Sequence, residues 1–134
     1  MTQEEKKLLI KDICARLPYN VMVGYESYIY VLSEINPACK DVDYIAVRIQ
    51  NVEKLTCAKN VMIENIKPYL RSMSSMTAEE KEEYEMLQVY PGFKTNHTDL
   101  TDLYDWLNEK KFDYRGLIEK GLALEAPSYM YKTE

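Results

Sequence analysis

The sequence predicts an α+β domain: an N-terminal helix, a four-stranded antiparallel meander, and two to three C-terminal helices. Three observations predict it. Two capping boxes, Thr2-Gln3-Glu4-Glu5 and Thr77-Ala78-Glu79-Glu80, each open an amphipathic pattern. Between them lie short runs rich in Val, Ile and Tyr, separated by turn formers. Over Ile66 to Glu80 a strand-like sequence stops and a helix-start signal follows. This junction divides a helix-plus-β module, 1–76, from an acidic helical module, 77–134. At 134 residues the chain fits one domain, 1–134, with a core large enough to need no disulfide or metal staple.

The first helix starts at Thr2. Its hydroxyl is placed to accept from the Glu5 amide while the Glu5 carboxylate reaches back. Leu9, Ile10, Ile13, Cys14 and Leu17 then recur at spacings of three and four, with Lys6, Lys7, Lys11 and Asp12 largely off the stripe. Pro18 ends the helix near Leu17, because the residue before proline is pushed out of the α region. Val21 to Tyr25 and Ser27 to Ile35 predict a hairpin turning near Gly24 to Ser27. Tyr28 to Leu32 is apolar on both faces, as in a central strand. Asn36 to Asp41 reads as a loop. Tyr44 to Gln50 alternates, with Ile45, Val47 and Ile49 inward and Tyr44, Ala46 and Arg48 outward. Residues 51–59 give no clear pattern, and Val61 to Ile66 is the fourth predicted strand. Such a meander either curls like a small barrel or lies flat against helices, and the chain lacks the long crossovers that parallel pairing needs.

The second helix runs from Thr77 to about Gln88, with Tyr84 and Leu87 on its inner face and Met76 as a staple. Tyr90 to Asn96 is a turn-rich break. A third helix is predicted from Thr98 or Asp99 to Lys110, with Leu100, Leu103, Tyr104 and Leu107 on one face. Asp113 can cap a short fourth helix that Gly121 stops. Beyond Pro127 the tail either frays or docks through Tyr129, Met130 and Tyr131.

Composition excludes several function classes. Three cysteines, Cys14, Cys39 and Cys57, are odd in number and never form Cys-x-x-Cys, which fits a reducing cytoplasm. The N-terminus lacks an apolar signal core and no apolar run is long enough to span a bilayer, so a cytoplasmic protein with no membrane partner is expected. Residues 1–76 carry ten Lys/Arg against nine Asp/Glu, and residues 77–134 carry seven against thirteen. The halves are thus +1 and −6, together −5, which disfavours non-specific nucleic-acid binding. Twelve tyrosines fit ring packing on a sheet.

Chemistry-bearing motifs are sparse. His97 is the only histidine, so Asn96-His97-Thr98-Asp99 with Asp102 reads first as a helix cap. Cys14 lies on the apolar stripe and is expected in the core. The four glycines form no phosphate-binding loop, and no cofactor is expected. The candidate binding surface has two parts. Lys67, Tyr69 and Arg71, with Lys54 and Lys59 upstream, form a cationic-aromatic cluster suited to single-stranded nucleic acid or an acidic peptide. Glu79, Glu82 and Glu83, within a run that includes Glu80 and Glu85, form a solvated face or an acidic docking surface.

Several segments carry a family resemblance: Met1 to Lys6, Cys14 to Tyr19, Ile66 to Arg71, Met73 to Thr77, and Phe112 to Pro127. They resemble small proteins of uncharacterised function encoded in phages and prophages of gut Bacteroidales. Ser72 stands where that pattern carries proline, and Ser128-Tyr129-Met130 replaces a glycine-bearing turn. The resemblance implies a mobile-element setting and an accessory role, and it implies no active site. The expected function is therefore non-enzymatic binding of a host or phage protein. The alternatives are a nucleic-acid-binding β module using Lys67, Tyr69 and Arg71, or an enzyme of unrecognised type.

Overall fold

The computed structural model describes residues 1–35, 46–51, 58–90 and 100–131. Helix α1, Gln3–Arg16, starts at the Thr2 capping box, with the Glu5 amide 3.1 Å from the Thr2 hydroxyl. A 3-10 turn, Leu17–Tyr19, follows it, with Pro18 inside the turn. Strands β1 (Met22–Tyr25), β2 (Tyr28–Ile35), β3 (Ala46–Asn51) and β4 (Ala58–Met62) pair antiparallel in succession, which is the predicted meander. The β1–β2 turn places positive φ on Glu26 and Ser27. That is the backbone a two-residue hairpin loop demands. Gly24 has a different reason to be small: a Cβ there would lie 3.1 Å from Leu124 and 3.4 Å from the Tyr69 ring.

The sheet is wider than the sequence predicts, with six strands among the described residues in the order β4-β3-β2-β1-β5-β6. The predicted fourth strand, Val61 to Ile66, breaks after Met62 into a 3-10 turn, Ile63–Asn65. The cause lies in the spacing. Ile63 and Ile66 are both fully buried, and a separation of three keeps them on one side of a turn but on opposite faces of a strand. The chain then enters β5, Lys67–Leu70, which crosses to the far edge of the meander and pairs antiparallel with β1. Proline is tolerated at position 68 because its pairing with Val23 needs no amide hydrogen. Strand β6, Leu124–Glu125, pairs parallel to β5, so the antiparallel-only expectation is corrected; the crossover it requires is supplied by the intervening helices.

Helices α2, Ala78–Val89, and α3, Thr101–Glu109, lie in that crossover. The predicted fourth helix is a run of turns. The Asp113 carboxylate accepts from the Leu117 and Ile118 amides, four and five residues on, at 2.8 and 2.9 Å and so closes a turn where a helix cap was expected, and positive φ at Gly116 and Gly121 keeps the segment from continuing as a helix. The parts of the predicted helices, strands and loops that fall on 36–45, 52–57, 91–99 and 132–134, including Cys39, Tyr44, Ile45, Lys54, Cys57 and His97, lie outside the described residues.

Two apolar clusters form among the described residues. The larger packs Leu9 and Ile13 of α1 on one sheet face with Val23, Leu32, Val47, Ile49 and Leu70, and it also takes Leu117, Leu122 and Ala123 from beyond the crossover. Both sides of the 76/77 junction therefore share one core. The smaller joins Met76, Leu87, Leu103, Trp106, Leu107 and Phe112. Trp106 stacks between Tyr84 and Phe112, with ring centroids 6.0 and 5.5 Å away. Leu100 and Tyr104 of the predicted α3 face are exposed, because the buried stripe centres on Leu103, Trp106 and Leu107.

On α1 two expectations change places. Cys14 is exposed, and Asp12 and Arg16 are fully buried. Arg16 donates to the Asp12 carboxylate from Nε at 2.9 Å and Nη2 at 3.1 Å, and its Nη2 also reaches the Phe112 carbonyl at 2.6 Å. Arg115 adds a second cation, Nη1 to Asp12 Oδ1 at 2.8 Å. Both guanidinium groups lie over the Tyr114 ring, at 5.4 and 4.5 Å from its centroid. One carboxylate thus holds α1 to the turn segment through two arginines.

Candidate protein-binding face

The junction at residues 66–80 organises the candidate site. Strand β5 brings Lys67 and Tyr69 to the sheet, with Lys67 exposed and Tyr69 half-buried. The Tyr69 ring lies against Gly24, and its carbonyl accepts from the Tyr131 hydroxyl at 2.8 Å. Tyr131 therefore docks the tail, and Tyr129 stays exposed. Arg71 turns toward α2 instead of joining Lys67. Its Nη1 and Nη2 donate to the two Glu80 carboxylate oxygens at 2.8 and 2.7 Å, and its guanidinium lies 4.2 Å from the Phe112 ring centroid. Lys59 sits on β4, 5.9 Å from the ring centroids of both Tyr25 and Tyr30. Tyr69, Arg71 and Lys59 are thus engaged in three separate places in the fold and do not form one cluster with Lys67.

Helix α2 forms because its first turn is satisfied twice over. The Thr77 hydroxyl accepts from the Glu80 amide at 3.2 Å, and Glu80 accepts from the Thr77 amide at 3.0 Å. Glu79 and Glu80 also complement the positive end of the helix dipole. Glu80 closes the capping box and grips Arg71 with the same carboxylate. The Arg71 hydrogen bonds hold its pKa at about 2, below the ordinary 4.5; burial opposes them, and the hydrogen bonds with Thr77 add a further lowering. Tyr84 and Leu87 complete the inner face of the helix, packed on α3.

The outer face of α2 is the site's main surface. Glu79, Glu82, Met86 and Val89 follow one another at spacings of three, four and three, which places them on one stripe. Glu79 and Glu82 are exposed, and Glu83 beside them is half-buried. Met86 is 42% exposed, Val89 66% and Tyr90 59%, so the C-terminal half of the stripe is open apolar surface. Glu82, Glu85, Met86, Val89 and Tyr90 line an open hollow of about 310 Å³. The sequence singled out the carboxylates of this helix but missed the apolar half. Its signal was available, since Met86 and Val89 continue the spacing that starts at Glu79 and Glu82.

The remaining chemistry is limited. Among the described residues no three of His, Cys, Asp and Glu converge on a metal-sized site. Desolvation raises the Cys14 thiol pKa although the residue is exposed overall, which leaves thiolate scarce at neutral pH. Asp102, in the first turn of α3, is buried. No helix among the described residues is long and apolar enough to cross a membrane. The chain matches no protein-family model, no curated protein and no solved structure.

Proposed function

We propose that this chain is a non-enzymatic protein-binding module acting on a host or phage protein. The observation that supports it is the outer face of α2, where Met86, Val89 and Tyr90 stand exposed around a hollow edged by Glu82 and Glu85. Burying these side chains in the chain's own core would have stabilised it, and placing them in solvent gains nothing for folding. Open apolar surface bordered by charge is the usual character of a docking face. The resemblance to phage-encoded proteins supports an infected or lysogenic cell as the setting. Arg71 is held by Glu80 and Phe112, which leaves a nucleic-acid reading with Lys67 and Tyr69 alone.

The test is affinity capture. Tagged full-length chain is mixed with lysate of bacterial host cells, with and without phage infection, and the eluates are compared by mass spectrometry. One protein enriched reproducibly over a tag-only control, and rebinding as a purified species, is the expected result. An eluate indistinguishable from the control in both lysates would overturn the reading.

A further inference from the structure

We infer that the occupant of the α2 face is a basic amphipathic helix lying antiparallel to α2, with its apolar N-terminal half on Met86 and Val89 and its cationic C-terminal half on Glu79 and Glu82. This rests on the protein-binding reading and specifies the partner's chemistry. The spacing of three, four and three residues is that of a helix-packing seam, and from Glu79 to Val89 the seam runs about 15 Å at 1.5 Å per residue. A partner helix of about three turns covers it.

Charge sets the partner's composition. The exposed carboxylates at the N-terminal half of the stripe call for Lys or Arg opposite them, and the exposed Met86, Val89 and Tyr90 call for apolar side chains. Polarity follows from the dipoles. Glu79 already complements the N-terminus of α2, and cations are most favourable at a helix C-terminus. An antiparallel partner satisfies both conditions, since its C-terminal turn then faces Glu79 and Glu82.

A second copy of this chain fits poorly. Antiparallel self-pairing would set Glu79 and Glu82 against Val89 and Met86 of the other copy and desolvate carboxylates on apolar surface. Parallel self-pairing would set carboxylate against carboxylate. The stripe is complementary to a helix of opposite charge rather than to itself.

The experiment uses the full chain and a fluorescein-labelled 14-residue peptide, with leucines at seam positions in its first half, lysines at seam positions in its second, and alanine and glutamine elsewhere. Fluorescence anisotropy measures its affinity against two controls: the isomer with the halves exchanged, and a version with glutamate for lysine. Each control is expected to bind at least about tenfold more weakly, a difference of about 1.4 kcal/mol. Val89→Asp and Glu82→Lys should each weaken the lysine peptide by about tenfold or more. Lys11→Ala, at an exposed position on α1, should leave it unchanged, and circular dichroism checks that every variant is folded. Equal binding of all three peptides, or unchanged affinity in both α2 variants, would overturn the inference. If capture yields a partner whose binding ignores Val89→Asp and Glu82→Lys, the α2 assignment falls and the protein-binding reading stands. If capture yields none, the reading itself falls.

Discussion

Replacing Tyr131 by Phe should destabilise the fold far more than the loss of one surface hydroxyl would suggest. Strands β1 and β5 pair at Gly24 with Lys67 and at Val23 with Pro68. The next pair along this register is Met22 with Tyr69, which in an unbroken ladder would exchange hydrogen bonds directly. Instead the Tyr131 hydroxyl stands between them, accepting from the Met22 amide at 2.8 Å and donating to the Tyr69 carbonyl at 2.8 Å. The hydroxyl bridges a seam in the sheet as an ordered water would. Burial pushes its pKa up from the ordinary tyrosine value, so it remains a neutral donor across the physiological range.

Phenylalanine keeps the ring, and with it the packing. The Met22 amide and the Tyr69 carbonyl lose their bridge, and a buried group left unpaired costs about 1–3 kcal/mol. Partial closure of the seam recovers some of this. The expected net loss is about 2 kcal/mol, read as a lower urea midpoint at unchanged slope. Native-state hydrogen exchange gives the local reading: the Met22 amide should exchange faster in Tyr131→Phe, while Leu32, whose amide donates to the Val21 carbonyl, keeps its protection. An unchanged midpoint together with unchanged Met22 protection would show that the strands close without the hydroxyl, and would refute the reasoning.

Two further predictions concern ion pairs. Glu80 has its pKa lowered to about 2 from 4.5, so its contribution is complete above pH 4.5, declines as the unfolded chain takes up the proton first, and is gone below about 2. Glu80→Gln should therefore lower the melting temperature at pH 7 and narrow its gap to wild type as pH falls from 4.5 to 2; a gap of constant size would contradict the Arg71–Glu80 assignment. Asp12→Asn strands the buried Arg16 and should cost about 3–5 kcal/mol, whereas Asp12→Leu combined with Arg16→Met should cost less than the single change. Chemical denaturation of these variants and of Asp12→Leu and Arg16→Met singly checks this, and a double variant as unstable as the sum of its two singles would count against a coupled pair.

Local signals were legible in the sequence wherever they act over a few residues. Both capping boxes form with the residues named for them, and the apolar alternation around Val47 and Ile49 sets the buried face of β3. Long-range pairings were not legible. Strand β6 is two residues long and carries no periodicity, and it exists because Leu70 and Tyr69 offer it an edge. Asp12 and Arg16 sit four apart on a helix, a spacing that can be read as an ion pair, but their burial depends on Arg115 and Phe112 about a hundred residues on. At the candidate site the acidic residues were recognised by composition. Lys67, Tyr69 and Arg71 read as one cationic-aromatic cluster because they lie close together in the sequence, and the capping glutamate nine residues later holds Arg71 instead.

The hydroxyl that bridges β1 and β5 also has a kinetic meaning. Strands β1 to β4 follow one another with neighbouring partners, so that ribbon can zip by local steps. The β1–β5 seam requires a residue 109 positions downstream of Met22. Loop closure over such a span is entropically costly and slows the step that depends on it. The half-finished sheet would then show an unbridged Met22 amide and an open β5 edge until the tail arrives, which makes β5 the strand most exposed to wrong pairing while the chain folds.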